Sequence, residues 1–381
     1  MHRSPAFVSV VLILLVGMLL GACGATPTQT LSPLPTPQPS PETGITPNAG
    51  AITVVDALGR SVQFAEPPKR IVVAGKSTLT IVDTLYMFPV AKERLIALVI
   101  GKQPVGDFLR FVDPTFDQKA ILDVEAGPEQ IAPFLPDVVV LRSSMAEKLG
   151  KALEQLSIPV VYVDLETPEQ YFRGLATLGQ LLGNEARAEE IQAFYQSRLD
   201  EVKNGLQGLE AGQKPRILIV QHTEQGGEVA FNVPPASWIQ TTEAELAGAL
   251  PIWKEAAQGG GWTVVNLEQI AAWNPDQVFV ISYQSDPVQV VDKLKAERGW
   301  QTLKAVQDGQ IYAFAGDISS WDQSDPRWIL GTTWLAGKVH PDRFPGLDMK
   351  EQAAEFFVQM YGMDEVLVQE QIMPLLKGSV E

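Results

Sequence analysis

Short apolar runs alternate with segments of helical periodicity from residue 52 to the C-terminal region. Runs rich in β-branched residues, several of them apolar throughout, predict buried strands at residues 71–74, 138–141, 160–163, 217–220 and 278–281. Strands that alternate with helices are typical of βαβ units with parallel sheets. The pattern therefore predicts an α/β fold.

Two twelve-residue segments of the chain repeat one another without a gap. Residues 129–140 read EQIAPFLPDVVV, and residues 268–279 read EQIAAWNPDQVF. In each copy we expect a short helix that starts at the glutamate, stops before Pro-Asp and leads into a buried strand. The repeat predicts two Rossmann-like lobes, each with a parallel sheet.

An apolar stripe between the two copies predicts a long connecting helix. From Asn184, a residue type that caps helices, apolar side chains recur at helical spacing to about residue 204. The pattern spans too few heptads for a coiled-coil dimer, so we expect a monomer. The predicted organisation is a first lobe at residues 51–183, a rigid interdomain helix at 184–207 and a second lobe at 208–381.

The first fifty residues predict a secretory signal followed by a tether. A basic start and an apolar run at residues 6–20 lead into the sequence LGAC, which resembles a bacterial lipobox. This predicts a signal peptide at residues 1–22, lipidation of Cys23 and a location outside the cytoplasm, anchored to the membrane. An uncleaved membrane helix is the alternative. Residues 23–50 are rich in Pro and Thr and are expected to form an extended tether, or else a wall-spanning stalk.

Composition excludes several classes of function. The 29 Lys and Arg residues against 45 Asp and Glu residues give a formal net charge of -16, which disfavours nucleic-acid binding. One cysteine excludes an intramolecular disulfide and a cysteine-ligated metal cluster. With only three histidines, a histidine metal site is also disfavoured, so a metal is expected to arrive already chelated and no resident cofactor is predicted.

Several of these segments together resemble a known family. They are ITVVDALGRSV at residues 52–62, PKRIVV at residues 68–73, the two Glu-x-Ile-x-x-x-x-Pro-Asp segments and the lipobox-like end of the leader. They resemble the substrate-binding lipoproteins of ABC importers for ferric siderophores, haem and cobalamin. The resemblance implies two α/β lobes joined by a rigid helix, with the ligand between the lobes and only modest closure.

The resemblance also implies the protein partners and two docking residues. In this family one glutamate at the repeated motif on each lobe pairs with arginines of the permease, so Glu129 and Glu268 are expected to dock on an ABC permease dimer with its ATPase. Negative charges at related positions of two lobes suit recognition by arginine across a two-fold permease. The alternative is that each glutamate only complements the positive end of a helix.

Candidate ligand contacts follow from the rule that ligands bind beyond the carboxyl ends of parallel strands. Cations and aromatic side chains at these ends and in a Pro-rich loop suit an anionic chelate or a flat macrocycle. The expected ligand-binding residues are Lys76, Ser77, Arg142, Trp238, Tyr283, Trp321 and Arg327. Arg327 is the preferred contact, because a cation near a helix start is disfavoured unless an anion is nearby.

The predicted function is a receptor without catalytic activity. It captures an iron complex (a ferric siderophore, haem or corrinoid) between two lobes and delivers it to an ABC permease. A receptor for a molybdate- or tungstate-type oxyanion is the alternative, because hydroxyls, backbone amides and one or two cations suffice to bind an oxyanion. An extracytoplasmic enzyme or an interaction lipoprotein is the further alternative, although no Ser-His-Asp set and no intact phosphate loop supports an enzyme.

Overall fold

The computed structural model describes residues 50–100 and 105–381, without the side chains of residues 105–107. These residues belong to one compact unit, Pro47–Glu381. The predicted signal peptide, Cys23 and the tether up to residue 49 lie outside the described residues. Within the described residues, no helix combines the length and the apolar character that crossing a bilayer requires.

The described chain alternates strands and helices as the sequence pattern predicts. Thirteen strands are present: β1 Ile52–Val55, β2 Ser61–Phe64, β3 Ile71–Val73, β4 Leu95–Leu98, β5 Ala120–Ile121, β6 Val138–Leu141, β7 Val160–Tyr162, β8 Arg216–Gln225, β9 Glu228–Val233, β10 Leu250–Pro251, β11 Thr263–Val265, β12 Gln277–Ile281 and β13 Ile311–Ala313, all within the described residues. The α-helices of the same residues are α1 Leu79–Tyr86, α2 Ala91–Arg94, α3 Val105–Val112, α4 Pro128–Ile131, α5 Lys151–Gln155, α6 Pro168–Leu182, α7 Glu185–Gly205, α8 Ile239–Leu246, α9 Leu267–Trp273, α10 Pro287–Ala296, α11 Lys304–Gln307, α12 Trp328–Val339, α13 Met349–Tyr361 and α14 Glu365–Leu367.

The first lobe is built on a five-stranded parallel sheet. Its strand order is β5-β4-β3-β6-β7, and every pairing is parallel. The central strands β3 and β6 are apolar at every position and completely buried, as strands covered on both faces must be. The α/β architecture predicted from the sequence is confirmed.

The second lobe differs from the prediction because its sheet is mixed. Its order is β11-β9-β8-β12-β13 with β10 also paired to β8, and β9 and β11 run antiparallel to their neighbours. The reason lies at Gly226 and Gly227, which both have positive φ, of 64° and 86°. Two such residues form a tight hairpin turn, so β8 runs on to Gln225 and the chain returns beside it as β9.

The repeated motif forms the same helix end in both lobes. In the first copy the chain leaves its helical turns at Leu135, with a φ of 46°, and in the second copy α9 ends at Asn274, with a φ of 47°. Each of these left-handed residues precedes a Pro-Asp pair and then a buried strand. Proline cannot continue the helix, and the residue before it is also disfavoured in right-handed helical geometry.

The aspartate of each Pro-Asp pair fixes the motif to the preceding strand of the sheet. Asp137 accepts a hydrogen bond from the backbone N–H of Arg70 at 2.9 Å, and Asp276 accepts one from the N–H of Arg216 at 2.8 Å. Each arginine in turn donates to a carbonyl at the end of its helix, Arg70 to Phe134 and Arg216 to Trp273. The sequence repeat is therefore a structural repeat, down to its hydrogen bonds.

The long helix α7 lies where the sequence predicts the connector between the lobes. Asn184 occupies its N-cap position, although the side chain makes no capping hydrogen bond, and Ile191 and Tyr195 on its apolar stripe are buried. Arg187 donates to the carbonyl of Met87 in the first lobe and also to the carbonyl of Met360 at the end of α13. These contacts fix the helix against both halves of the chain. The exact lobe boundaries stay a prediction.

Candidate functional site

A cavity of about 560 Å³ lies between residues of the two lobes. Its lining is dominated by hydroxyl, amide and charged side chains, with few apolar ones. The lining residues are Lys76, Ser77, Leu79, Thr80, Arg142, Ser144 and Glu166 from the first lobe, and Trp238, Ile239, Gln240, Gln323, Ser324 and Asp325 from the second. The volume is in the range of small-molecule binding sites.

The loop after β3 brings Lys76 and Ser77 to the cavity by a strained turn. Gly75 has a φ of 89°, and Ser77 has a φ of 53°, a conformation that few residues other than glycine adopt. Thr78 fixes the end of this loop by donating its hydroxyl to the carbonyl of Val99 at 2.6 Å. Holding a serine in the left-handed region costs about 1–3 kcal/mol, and such strain is concentrated at ligand sites.

Arg142 follows β6 and is the more buried of the two first-lobe cations. Its side chain is only 15% exposed and pairs with Glu166, whereas Lys76 is 53% exposed and pairs with Glu125 at 2.8 Å. Burial lowers the pKa of Arg142, and the nearby Asp164 partly offsets that effect. Arg142 is therefore the cation whose charge is least screened by solvent.

Trp238 is held over the cavity by the Pro-rich loop that precedes α8. The carbonyl of Pro234 accepts from the indole N–H of Trp253 at 3.0 Å, and the carbonyl of Pro235 accepts from the Thr241 hydroxyl at 3.0 Å. The ring of Trp238 meets that of Trp262 edge to face, with centroids 5.5 Å apart. The loop thus presents one aromatic face to the cavity.

Two helices direct their amino-terminal ends at the cavity, one from each lobe. Leu79 and Thr80 at the start of α1, and Ile239 and Gln240 at the start of α8, are lining residues. Neither helix has an acidic residue in its first turn, in contrast to α6, α7 and α13. Free N–H groups and the positive end of the helix dipole favour an anion at such a position.

Asp325 supplies a buried carboxyl group to the second-lobe wall. It is 2% exposed, and it accepts hydrogen bonds from the Ser319 hydroxyl at 2.6 Å and from the backbone N–H of Arg327 at 2.8 Å. Burial raises the pKa of Asp325 to about 7, although the charge of Arg327 acts in the opposite direction. The protonation state of this wall therefore changes near neutral pH.

Arg327, the preferred ligand contact from the sequence, does not line the cavity. It is completely buried between the lobes, where its Nη1 lies 2.5 Å from Asp83 Oδ2 and its Nε lies 2.8 Å from Asp317 Oδ1. Its guanidinium carbon lies 4.9 Å from the centre of the Phe108 ring. Burial alone would lower the pKa of Arg327, but these carboxylates raise it well above its ordinary value. The negative charge expected beside this helix start comes from Asp83 and Asp317, not from a ligand. The predicted ligand role of Arg327 stays untested, and its burial against Asp83 and Asp317 favours a structural role.

Trp321 and Tyr283 also lie outside the cavity lining. Trp321 is completely buried and donates its indole N–H to Asp317 at 2.8 Å. Tyr283 exposes 43% of its surface, but its hydroxyl points inward and donates to Asp322 at 2.5 Å. The structure thus brings together Lys76, Ser77, Arg142 and Trp238 of the seven expected contacts, and it sets Tyr283, Trp321 and Arg327 apart from them.

The expected docking glutamates occupy matching positions in the two lobes. Glu129 lies in the first turn of α4 and Glu268 in the first turn of α9, and both are exposed. The carboxylate of Glu129 folds back over Gly127, where a Cβ atom would lie only 2.6 Å from either oxygen. Glu129 therefore complements the positive amino-terminal end of α4. Because its side chain is also exposed, it can still contact a partner. The docking role itself stays a prediction.

Sequence reasoning missed most of the second-lobe wall. Gln240 and Asp325 lie at or before helix starts and not at strand ends, so the strand-end rule passes over them. Glu166 follows β7 by a few residues and was within reach of that rule. Among the described residues, no three His, Cys, Asp or Glu side chains are grouped so as to hold a metal ion.

Two α/β lobes with a polar cavity between them and a rigid connecting helix define the class of solute-binding receptors. A family described as "Periplasmic binding protein" matches residues 113–317, more than half of the chain, and the chain belongs to this family. Its members are solute receptors of ABC importers and not enzymes. The sequence-based assignment to this family and the non-catalytic role are confirmed.

Individual relatives agree with this assignment along most of the chain. The molybdate-binding protein MolA of Haemophilus influenzae is 23% identical over 333 residues, which cover 81% of this chain and 90% of that protein. The iron-uptake system-binding protein of Bacillus subtilis is 23% identical over 330 residues, covering 85% and 92%. A periplasmic solute-binding protein from Veillonella parvula has the same fold, with a TM-score of 0.68, 20% identity, and coverage of 84% and 96%.

Proposed function

We propose that this protein captures an anionic iron chelate between its lobes and delivers it to an ABC permease. The observation that carries the proposal is the pair of helix starts, α1 and α8, that open onto a cavity of about 560 Å³ without an acidic residue in either first turn. Arg142 and Lys76 add cations on the same wall, where they pair with Glu166 and Glu125 and could also reach a ligand. These groups favour a ligand that carries exposed negative charge.

The lining favours a hydrophilic chelate over a macrocycle. Haem and corrinoids present large apolar faces, whereas Trp238 is the one aromatic side chain among the lining residues. Ser77, Thr80 and Ser144 offer hydroxyl groups to carboxylate, hydroxamate or catecholate oxygens. A ferric complex of such a chelator matches both the polarity and the volume, and the name of the Bacillus subtilis relative agrees with iron as the cargo.

A bare oxyanion is the second candidate, supported by a different observation. Hydroxyl groups from both lobes, those of Ser77 and Ser324 among them, line the cavity beside the two helix starts. Hydroxyls and backbone N–H groups suffice to bind an oxyanion, and the Haemophilus influenzae relative is named for molybdate. Against this candidate, a tetrahedral oxyanion fills only a small part of the cavity.

Delivery and anchoring complete the proposal. Glu129 and Glu268 dock on the two halves of a permease dimer, and Cys23 carries the lipid anchor outside the cytoplasm. The matching positions of the two glutamates on exposed helix starts support docking. The lipobox-like end of the leader supports the anchor. The tether at residues 23–50 would let the folded part reach its permease along the membrane surface.

The proposal is tested by melting the full chain with a panel of ligands. The panel holds ferric citrate, ferric hydroxamate and catecholate siderophores, haem, cobalamin, molybdate and tungstate. A ligand at 100 times its Kd stabilises the folded state by about 2.7 kcal/mol, so a saturable rise in Tm identifies the ligand class. We expect a rise with one ferric chelate. A rise with molybdate alone would select the second candidate, and a rise with haem or cobalamin would refute our account of the lining.

Arg142→Ala ties the binding to the cavity. We expect this substitution to weaken binding of the identified chelate at least about tenfold, since it removes a poorly solvated charge from the wall. Lys151→Ala is the control, because Lys151 is exposed on α5, pairs with Glu147 and does not line the cavity. Equal affinities of the two variants would contradict binding at this site.

A further inference from the structure

A cluster of buried oxygen atoms lies behind the second-lobe wall of the cavity. Glu243 and Asp322 are completely buried, and Gln240 is 4% exposed. Four of their oxygens accept no hydrogen bond from any described residue: Oε1 and Oε2 of Glu243, Oδ1 of Asp322 and Oε1 of Gln240. Buried polar atoms are nearly always paired, so four unpaired acceptors in one place require an explanation.

These oxygens belong to neighbouring side chains of the fold. Gln240 and Glu243 are three residues apart in α8 and share one face of that helix. The Gln240 side chain donates to Asp322 Oδ2 at 3.1 Å, which brings the amide to the aspartate. The carbonyl oxygen of Trp321 and Oε1 of Glu243 both lie within 3 Å of the point where a Cβ on Gly331 would stand. Any larger residue at position 331 would fill the space between these two oxygens.

The neighbouring donors orient Asp322 but leave its second oxygen free. The Tyr283 hydroxyl and the Gln240 amide both donate to Oδ2, while Oδ1 has no partner among the described residues. No described Lys or Arg forms an ion pair with Asp322 or Glu243, since the nearby Arg327 is taken by other carboxylates. Buried carboxylates are paired with a cation, bound to a metal or kept neutral by a proton.

We propose that Glu243, Asp322, Gln240 and the Trp321 carbonyl bind a calcium ion behind the ligand cavity. All the donors are oxygens, and carboxylate, amide and backbone carbonyl oxygens are the ligands that Ca²⁺ takes in irregular geometry. Its double charge neutralises the two carboxylates. The site has only two acidic side chains, so the amide and the carbonyl are needed beside them, and water would supply the remaining oxygens of the six to eight that Ca²⁺ takes. The donors from Tyr283 and Gln240 to Oδ2 play the orienting part that outer groups play around bound metals.

A bound ion would give the second-lobe wall its shape. Gln240 contributes both to the proposed ion site and to the lining of the cavity. Asp322 lies three residues before the lining residue Asp325. The ion would therefore fix α8 relative to the segment before α12, and with them the second-lobe face that a ligand meets.

The experiment measures calcium binding by the full chain after treatment with EDTA. At pH 7.5 we expect CaCl₂ at 100 times its Kd to raise the Tm by about 3–5 °C. We also expect Tb³⁺, a luminescent substitute for Ca²⁺, to show emission sensitised by the neighbouring Trp321 and Tyr283, and Ca²⁺ to displace it. Burial raises the pKa of Glu243 well above its ordinary value, so protonation is the competing way to neutralise this group. Stabilisation by acid alone, with no calcium shift and no terbium signal, would overturn the proposal.

Three variants locate the site. Glu243→Gln should abolish both signals, whereas Glu245→Gln, an exposed neighbour on the same helix, should keep them. Glu166→Gln removes a carboxylate of the ligand cavity and should also keep them, which separates this site from the cavity. A calcium shift that survives in Glu243→Gln, or that is lost in Glu166→Gln, would refute the assignment. If Glu243→Gln does not fold, Asp322→Asn and the terbium competition on the wild type decide the matter.

Discussion

Replacing Arg327 by alanine tests whether the buried ion cluster holds the two lobes together. The guanidinium contacts Asp83 of α1 at 2.5 Å and Asp317 of the second lobe at 2.8 Å, and all three side chains are completely buried. Tyr361 at the end of α13 donates to the other oxygen of Asp83 at 2.6 Å. Removing this cation leaves uncompensated carboxylates in the interior.

The magnitude follows from the burial. Breaking a buried ion pair by removing one partner costs about 3–5 kcal/mol. For the roughly 330 described residues each kcal/mol lowers the Tm by about 1.4 °C, so we expect Arg327→Ala to melt about 4–7 °C below the wild type. Arg298→Ala, at an exposed position, serves as the control and should melt within about 2 °C of the wild type.

A compensated variant separates the charge from the packing. Arg327→Met combined with Asp83→Asn and Asp317→Asn removes the cation and its two closest carboxylates, and it should melt well above Arg327→Ala because only Asp325, 3.9 Å from the guanidinium, then loses its cation. Ligand affinity should change little in any variant that folds, since Arg327 does not line the cavity. A Tm for Arg327→Ala equal to that of the wild type, with affinity reduced more than about tenfold, would refute this account and make Arg327 a ligand contact.

Three further predictions concern pH, the permease and the interior. Because burial raises the pKa of Asp325 to about 7, the folded state holds a proton that the unfolded chain loses near pH 4; this contribution to stability is full below about pH 4 and is lost as the pH rises to about 7. The Tm should fall over that window by an amount that Asp325→Asn reduces, and an unchanged pH dependence in this variant would argue against the raised pKa. Reversing the charge of Glu129 and Glu268 together should abolish uptake in cells while ligand affinity stays within about twofold, whereas normal uptake would remove the docking role. Gly331→Ala should lower the Tm by about 1–4 °C, because its Cβ would stand 2.4 Å from the Trp321 carbonyl; an unchanged Tm would show that the backbone relaxes there.

Local pattern was sufficient to predict the elements and the first-lobe wall. The buried strands are evident from their apolar runs, and α7 from its apolar stripe and from Asn184 at its N-cap position, although that side chain makes no capping hydrogen bond. Lys76 and Arg142 were found because parallel strands place the residues that follow them at one edge of the sheet. The Gly226-Gly227 pair is an equally local signal for a hairpin turn. It was not used because a purely parallel sheet was expected.

Contacts between distant segments could not be predicted. Arg327 and Asp83 are 244 residues apart, and nothing in either segment indicates that they meet. Tyr283 does follow a strand, yet its hydroxyl turns inward to Asp322, and this orientation depends on α8 and on the segment before α12. The strand-end rule predicts which residues lie at the edge of the sheet. The direction in which a side chain points depends on neighbouring elements that are known only from the complete fold.

The account depends on the ligand lying between the lobes. Crystals of the full chain grown with the ferric chelate that raises the Tm most would be measured at the iron absorption edge. We expect one strong anomalous peak in the cavity, on the side of Ser77 and Arg142 and beneath Trp238. A peak on the protein surface, or none in crystals whose protein binds the chelate in solution, would contradict the central claim.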